Sequence, residues 1–204
     1  MKPKKYFWPA IKTVVFSLSL LPLVFLTIDA IDDNLGANPV EALHFSLGRW
    51  ALRFLCLTLA LTPLRHIIKQ GWPLRFRRMF GLFAFFYACL HLLVFLWLDV
   101  EFSWQYFRLE VSDSPYLLLG LATFLFLLPL ALTSSRYLQK RLGRRWLSLH
   151  KLIYPAAILA VLHYLMLVKS DLSQPLLYAV LLTFLLLFRL IQYSRSKQTK
   201  IQEN

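Results

Sequence analysis

The stretch Trp146-Leu147-Ser148-Leu149-His150-Lys151-Leu152-Ile153-Tyr154-Pro155-Ala156-Ala157-Ile158-Leu159-Ala160-Val161-Leu162-His163-Tyr164 is almost wholly apolar, yet it carries a histidine near each end. A run of this length spans a bilayer as a helix. A third histidine, His91, sits inside another apolar run between Gly81 and Leu98. Ionisable side chains are costly in hydrocarbon, so each such histidine marks a candidate functional site.

The surrounding chain sets the same frame. It has 204 residues, of which 58% are hydrophobic and 16% charged, and its mean hydropathy is +0.57. A formal charge of +13 would suit nucleic acid, but the cations fall in short segments between apolar runs, which argues against that partner. Cys56 and Cys89 lie in separate apolar runs with no CxxC pattern, so neither a disulfide scaffold nor a zinc or iron–sulfur site is indicated. The basic start, Met1 to Lys5, precedes an apolar run with no cleavage signature and reads as the lead-in to a retained helix.

Six runs are long enough to cross a membrane, near 11–29, 45–62, 79–98, 116–133, 149–168 and 175–193. The expected fold is therefore an all-α integral membrane protein, a six-helix transmembrane bundle forming a single domain over 1–204. Pro22, Pro63, Pro129 and Pro155 fall within or at the ends of these runs, which a bundle tolerates.

Alternate connections collect 19 of the 23 basic residues. These are Lys2, Lys4, Lys5 and Lys12; Arg65, Lys69, Arg75, Arg77 and Arg78; Arg136, Lys140, Arg141, Arg144, Arg145 and Lys151; and Arg189, Arg195, Lys197 and Lys200. Of the 10 acids only Glu203 joins them. The positive-inside rule then predicts that both termini are cytoplasmic. No soluble domain, internal repeat, low-complexity segment or GxGxxG dinucleotide unit is read in the sequence.

His91 lies seven residues before the non-cytoplasmic end of the third run, about 10 Å deep, and His163 lies five before the end of the fifth, about 8 Å deep. Two parallel helices with histidines at matched depth suit bis-histidine ligation of one b-type haem. The competing reading is a lone histidine hydrogen-bonded inside the bundle. His150 sits about 20 Å lower. It is a candidate ligand for a second haem, but 13 residues before His91 stands Arg78, not histidine. His66 is the other candidate partner, with a solvated loop-edge histidine as its competing reading. Trp146, four residues before His150, could stack on a cofactor, and packing is its simpler role.

Arg49 and Arg53 share a face of the second helix without a nearby intrahelical acid. Both are expected near haem propionates, Arg53 ahead of Arg49, because Arg49 is close enough to the interface to snorkel. His44 is a candidate for a propionate or a quinone.

The segments Gly36-Ala37-Asn38-Pro39, His44-Phe45 with Gly48-Arg49, Arg77-Arg78 before Gly81-Leu82, and Leu142-Gly143-x-Arg145-Trp146-x-x-Leu149-His150-x-x-x-Tyr154 resemble the MsrQ family over almost the whole chain. More distantly the chain is similar to the ferric reductase-like transmembrane domain shared with NADPH oxidases. That pattern has paired histidines on each of two helices, and the chain departs from it at Arg77 and Arg78. The resemblance implies a haem-binding membrane subunit in the bacterial inner membrane. It also implies a periplasmic molybdenum-cofactor partner, MsrP, that holds the catalytic site and reduces methionine sulfoxide in oxidised periplasmic proteins. Electrons would come from the quinone pool or from a cytosolic reduced flavin. FMN is a further cofactor implied by the resemblance, with Arg77, Arg78 and Arg145 as candidates for its phosphate. The alternatives are a stand-alone ferric reductase and, from another class, a transporter or structural membrane protein with incidental histidines.

Overall fold

A computed structural model describes residues 7–168 and 171–202. Among these residues the chain is helical apart from short connections, with no strand. Its α-helices are α1 (Phe7–Ile31), α2 (Pro39–Ile68), α3 (Arg77–Val94), α4 (Trp104–Asp113), α5 (Pro115–Leu132), α6 (Arg136–Leu142), α7 (Arg144–Leu149), α8 (Ile153–Leu167) and α9 (Ser173–Gln202). Six segments are long and apolar enough to cross a membrane: Phe7–Ile31, Pro39–Ile68, Arg77–Asp99, Pro115–Leu132, Arg144–Leu167 and Ser173–Arg195. These are the six runs expected from the sequence. Lys2, Lys4, Lys5 and Glu203, which entered the charge count, lie outside the described residues.

Local chemistry sets the ends. The Asn38 side chain accepts from the Glu41 amide and donates to the Glu41 carboxylate at 3.0 Å, with Pro39 opening the helix. This reciprocal cap starts α2 six residues before the apolar run does. Ser103 and Ser135 cap α4 and α6 in the same manner. The Asp171 carboxylate accepts from the Ser173 amide at 2.9 Å ahead of α9, and that bond holds its pKa below the usual carboxylate value.

The fifth span is interrupted. Pro155 has no N–H for the carbonyl four residues earlier, and the chain passes through a 3-10 turn, His150–Leu152, between α7 and α8. The third span ends in a π-helical turn, Phe95–Asp99.

α2 and α3 form one antiparallel pair and α5 and α8 another; the two pairs pack through α3 on α5 and α2 on α8. Between them lies the core, in which Leu59, Ala84, Tyr87, Ala156 and Ala157 are almost completely enclosed. Small residues let the backbones approach where no hydrophobic effect drives helices together in lipid. Buried hydroxyls are satisfied locally: Ser19, Thr58 and Thr123 each donate to the carbonyl four residues back. Tyr87 donates to the Ser19 carbonyl at 2.8 Å and ties α3 to α1.

Candidate cofactor site

His91 on α3 and His163 on α8 face each other across the gap between the two helix pairs. Their ring centroids are 6.2 Å apart and their planes cross at 79°. In each ring Nδ1 is occupied. His91 Nδ1 donates to the His44 carbonyl at 3.1 Å, and His163 Nδ1 donates to the Tyr116 carbonyl at 2.7 Å. A backbone carbonyl can only accept, so the proton is on Nδ1 and the Nε2 lone pair is left available. Among the described residues neither Nε2 has a hydrogen-bond partner.

A glycine makes each bond possible. In a helix the carbonyl of residue i lies beneath the side chain of residue i+4. Four residues after His44 comes Gly48, and four after Tyr116 comes Gly120. A Cβ on Gly48 would meet His91 Cε1 at 3.3 Å, and one on Gly120 would meet His163 Cε1 at 3.0 Å. Any larger residue would force the imidazole to shift by a few tenths of an ångström.

These positions repeat. His163 follows His91 by 72 residues, as Gly120 follows Gly48 and Tyr116 follows His44. Gly143 follows Gly71 and Asp171 follows Asp99 at the same interval. The two helix pairs thus hold their histidines in the same way, each ring bonded to a carbonyl four residues before a glycine. His150 falls in register with Arg78.

The two histidines line a cavity of about 710 Å³ whose walls come from α2, α3, α5 and α8. This volume is in the range of roughly 300–1,000 Å³ usual for cofactor sites. Most of the wall is apolar, including Leu52, Leu55, Ala88, Phe124, Leu127 and Ala160. Arg49 is the one arginine or lysine among the described residues that line it. At the mouth, His44 Nε2 and Asp99 Oδ2 form an ion pair at 2.6 Å, and the His44 ring meets the His91 ring edge-on at 5.3 Å.

Of the two arginines, Arg49 and not Arg53 lines the cavity. Arg49 faces the cavity and its Nε donates to the Phe45 carbonyl at 3.1 Å. Arg53 turns away from it, donating to the Tyr178 hydroxyl on α9 at 3.1 Å and lying 4.5 Å from the Trp50 ring centre. One further turn of helix is enough to carry the side chain onto α9.

The second cluster lies toward the basic end. His150 stacks on Trp146 with centroids 3.9 Å apart. The Thr133 hydroxyl donates to the Pro129 carbonyl at 2.6 Å, so it accepts from His150 Nε2 at 3.1 Å. Trp146 Nε1 donates to the Thr133 carbonyl at 3.0 Å. Trp146 therefore packs on His150 itself. His66 is exposed beside the Phe188 ring and makes no contact with His150. Arg77 is half-buried and within electrostatic reach of His150, whereas Arg78 and Arg145 are exposed.

The comparisons with known proteins agree on the identity of this bundle. Residues 47–161 match the family model described as the ferric reductase like transmembrane component. A Rhodospirillum rubrum protein is 47% identical over 189 residues, covering 92% of this chain and 91% of its own length. A Xanthomonas euvesicatoria protein is 44% identical over 196 residues, covering 93% and 90%. One from Herminiimonas arsenicoxydans is 44% identical over 182 residues, covering 88% and 84%. All three are named protein-methionine-sulfoxide reductase heme-binding subunit MsrQ. This chain belongs to the MsrQ family.

Within that family frame, the matched region holds Gly48, His91, Gly120 and His150, and it stops two residues before His163. Sequence reasoning missed Gly120, Tyr116 and the partnership of His44 with Asp99. The signal for the first two was present in the 72-residue interval. Nothing local in the sequence joins His44 to Asp99, because 55 residues separate them.

Proposed function

We propose that this chain is the haem-binding membrane subunit of a methionine sulfoxide reductase system, and that it carries electrons across the membrane to a separate catalytic protein. The observation that carries the proposal is the pair His91–His163. The 6.2 Å between the two ring centres leaves room for one metal ion that both imidazoles would hold. Both rings are held at Nδ1 by carbonyls, which fixes their orientation and raises the basicity of Nε2. A b-type haem bound there would supply one-electron chemistry.

The residues of the chain do the rest. His91 and His163 would hold the iron. Leu52, Leu55, Phe124 and Leu127 exclude water along the cavity walls. Arg49 would pair with a propionate, the carboxylate for which it has no protein partner among the described residues.

The wider setting belongs to the same proposal. The basic ends of the helices and both termini face the cytoplasm of a bacterium, and the cavity lies toward the periplasmic side of the inner membrane. Electrons enter from the quinone pool or a cytosolic reduced flavin, with FMN as an additional cofactor, and leave to a molybdenum-dependent MsrP in the periplasm. His150 is the candidate ligand for a second, lower haem, for which its hydrogen bond to Thr133 would have to open. Supporting this direction is the charge asymmetry of the connections. The test is to purify the protein, count haem, and follow reoxidation of its reduced spectrum by the periplasmic partner with methionine sulfoxide. A protein that folds, binds no haem and transfers no electrons would remove the proposal.

A further inference from the structure

α4 links the π-helical turn after α3 to α5, and its Glu110 lines the His91–His163 cavity, as do Asp99 and His44. Phe107 and Val111, four residues apart, are the only positions of this helix that are not exposed. They form its inward stripe, and Phe107 packs on Phe95 with ring centres 6.1 Å apart. At about 100° per residue, the side opposite that stripe carries Gln105, Leu109 and Asp113, flanked by Tyr106 and Ser112.

That outer side lies in water, because the amide of Gln105 and the carboxylate of Asp113 are costly in hydrocarbon. Tyr106 and Leu109 nevertheless stand on it, 52% and 54% exposed, and their spacing of three makes them neighbours. The other exposed aromatics here have a different setting. Trp104 stacks on Phe107 beside the inward stripe, with ring centres 5.5 Å apart. With Trp97 it suits the headgroup layer, where tryptophan is enriched. Lipid does not account for Tyr106 and Leu109 in the same way.

The same end of the bundle is acidic. Asp32, Asp33, Asp99, Glu101, Glu110 and Asp113 are all exposed there, and among the described residues only Asp99 forms an ion pair, with His44. Arg108 is the one exposed arginine or lysine among the described residues of that end. An acidic surface gains nothing from anionic headgroups. It draws in a protein of opposite charge and fixes the orientation in which that protein lands.

We propose that the outer face of α4 is where the electron-accepting protein docks, with Tyr106 and Leu109 as the buried centre, and that the acceptor meets it with a lysine- and arginine-rich surface. A tyrosine with an aliphatic neighbour inside a charged rim has the make-up of a protein interface. Glu110 belongs both to this helix and to the cavity wall, so an acceptor seated here stands about one helix diameter, roughly 10 Å, from the cavity. The inference rests on the electron-transfer reading for the identity of the partner, and on the geometry of α4 for its place.

The experiment uses the full chain with its bound cofactor in nanodiscs of phosphatidylcholine. Binding of the purified periplasmic partner is measured at low and high salt, with haem per protein counted alongside. Tyr106→Ala combined with Leu109→Ala should weaken binding at least tenfold, with haem kept. Gln105→Lys combined with Asp113→Lys should slow association at least tenfold at low salt, a difference that shrinks at high salt. Trp104→Ala should leave binding unchanged. A membrane-impermeant maleimide should label Leu109→Cys at least tenfold faster than Trp104→Cys, after subtraction of the labelling of Cys56 and Cys89 in the unaltered protein. Slow labelling of both would place the face in lipid and overturn the inference. Absence of partner binding overturns it too, as does binding that survives both double variants or is lost equally in Trp104→Ala. An unaltered protein that binds the partner through this face but holds no haem would instead count against the electron-transfer proposal alone.

Discussion

Gly120 lies so close to His163 that a Cβ on it would stand 3.0 Å from the imidazole Cε1. The ring reaches the Tyr116 carbonyl at 2.7 Å only because that Cβ is missing. Gly48 and His91 repeat the relationship with slightly more room, at 3.3 Å.

Adding the methyl should therefore displace the ring. Gly120→Ala is expected to cost about 1–3 kcal/mol by overpacking and to lower haem retention, with Gly48→Ala milder in both respects. Thermal unfolding in detergent, with haem per protein, measures this. Unchanged haem spectra in Gly120→Ala would mean that the close approach does not set the ligand geometry.

Arg49 and Arg53 separate two roles that the sequence ran together. Arg49→Leu should weaken haem retention at least tenfold while leaving the protein inserted. Arg53→Leu should instead lose the Tyr178 hydrogen bond and the Trp50 contact, destabilising the bundle by about 1–2 kcal/mol with haem affinity kept. Haem titration of the two purified variants decides between this order and its reverse.

At the cavity mouth, the ring of His44 holds Asp99 while its carbonyl holds His91. The ion pair is partly solvated, with the two side chains 19% and 34% exposed. Asp99→Asn should therefore cost only about 0–1 kcal/mol. His44→Ala keeps the backbone carbonyl and should retain haem. Complete haem loss in His44→Ala would show that the side chain, not the carbonyl, is what the site needs.

The charge pattern makes a topological prediction. A reporter active only in the periplasm should work when fused after Asp33 or Asp113 and be silent after Arg141. The opposite pattern would reverse the direction of electron flow.

Much of the fold was legible because lipid demands it: uninterrupted apolar runs of spanning length have few other uses, and all six became helices. The ends were less legible, since α2 begins at a cap, Asn38–Pro39–Glu41, outside the apolar run. α4 went unread because its apolar residues, Trp104 and Leu109, alternate with Arg108 and Glu110 in a short interfacial turn of chain. The matched depth of His91 and His163 was readable from rise per residue alone. Which arginine turns toward them was not, because Arg53 is drawn off by Tyr178, 125 residues away. Arg189, read in the sequence only as one of the basic charges, is half-buried and donates at 2.9 Å to the Leu59 carbonyl, which Pro63 leaves without a helical donor.

The central claim is that His91 and His163 together hold one haem. The most direct measurement is haem per protein and the reduced visible spectrum of purified His91→Ala and His163→Ala, beside His150→Ala. The account predicts loss of the low-spin b-type spectrum and of electron delivery in each of the first two, with the signal of the His91–His163 cavity kept in His150→Ala. Full haem with unchanged spectra and turnover in both His91→Ala and His163→Ala would contradict it.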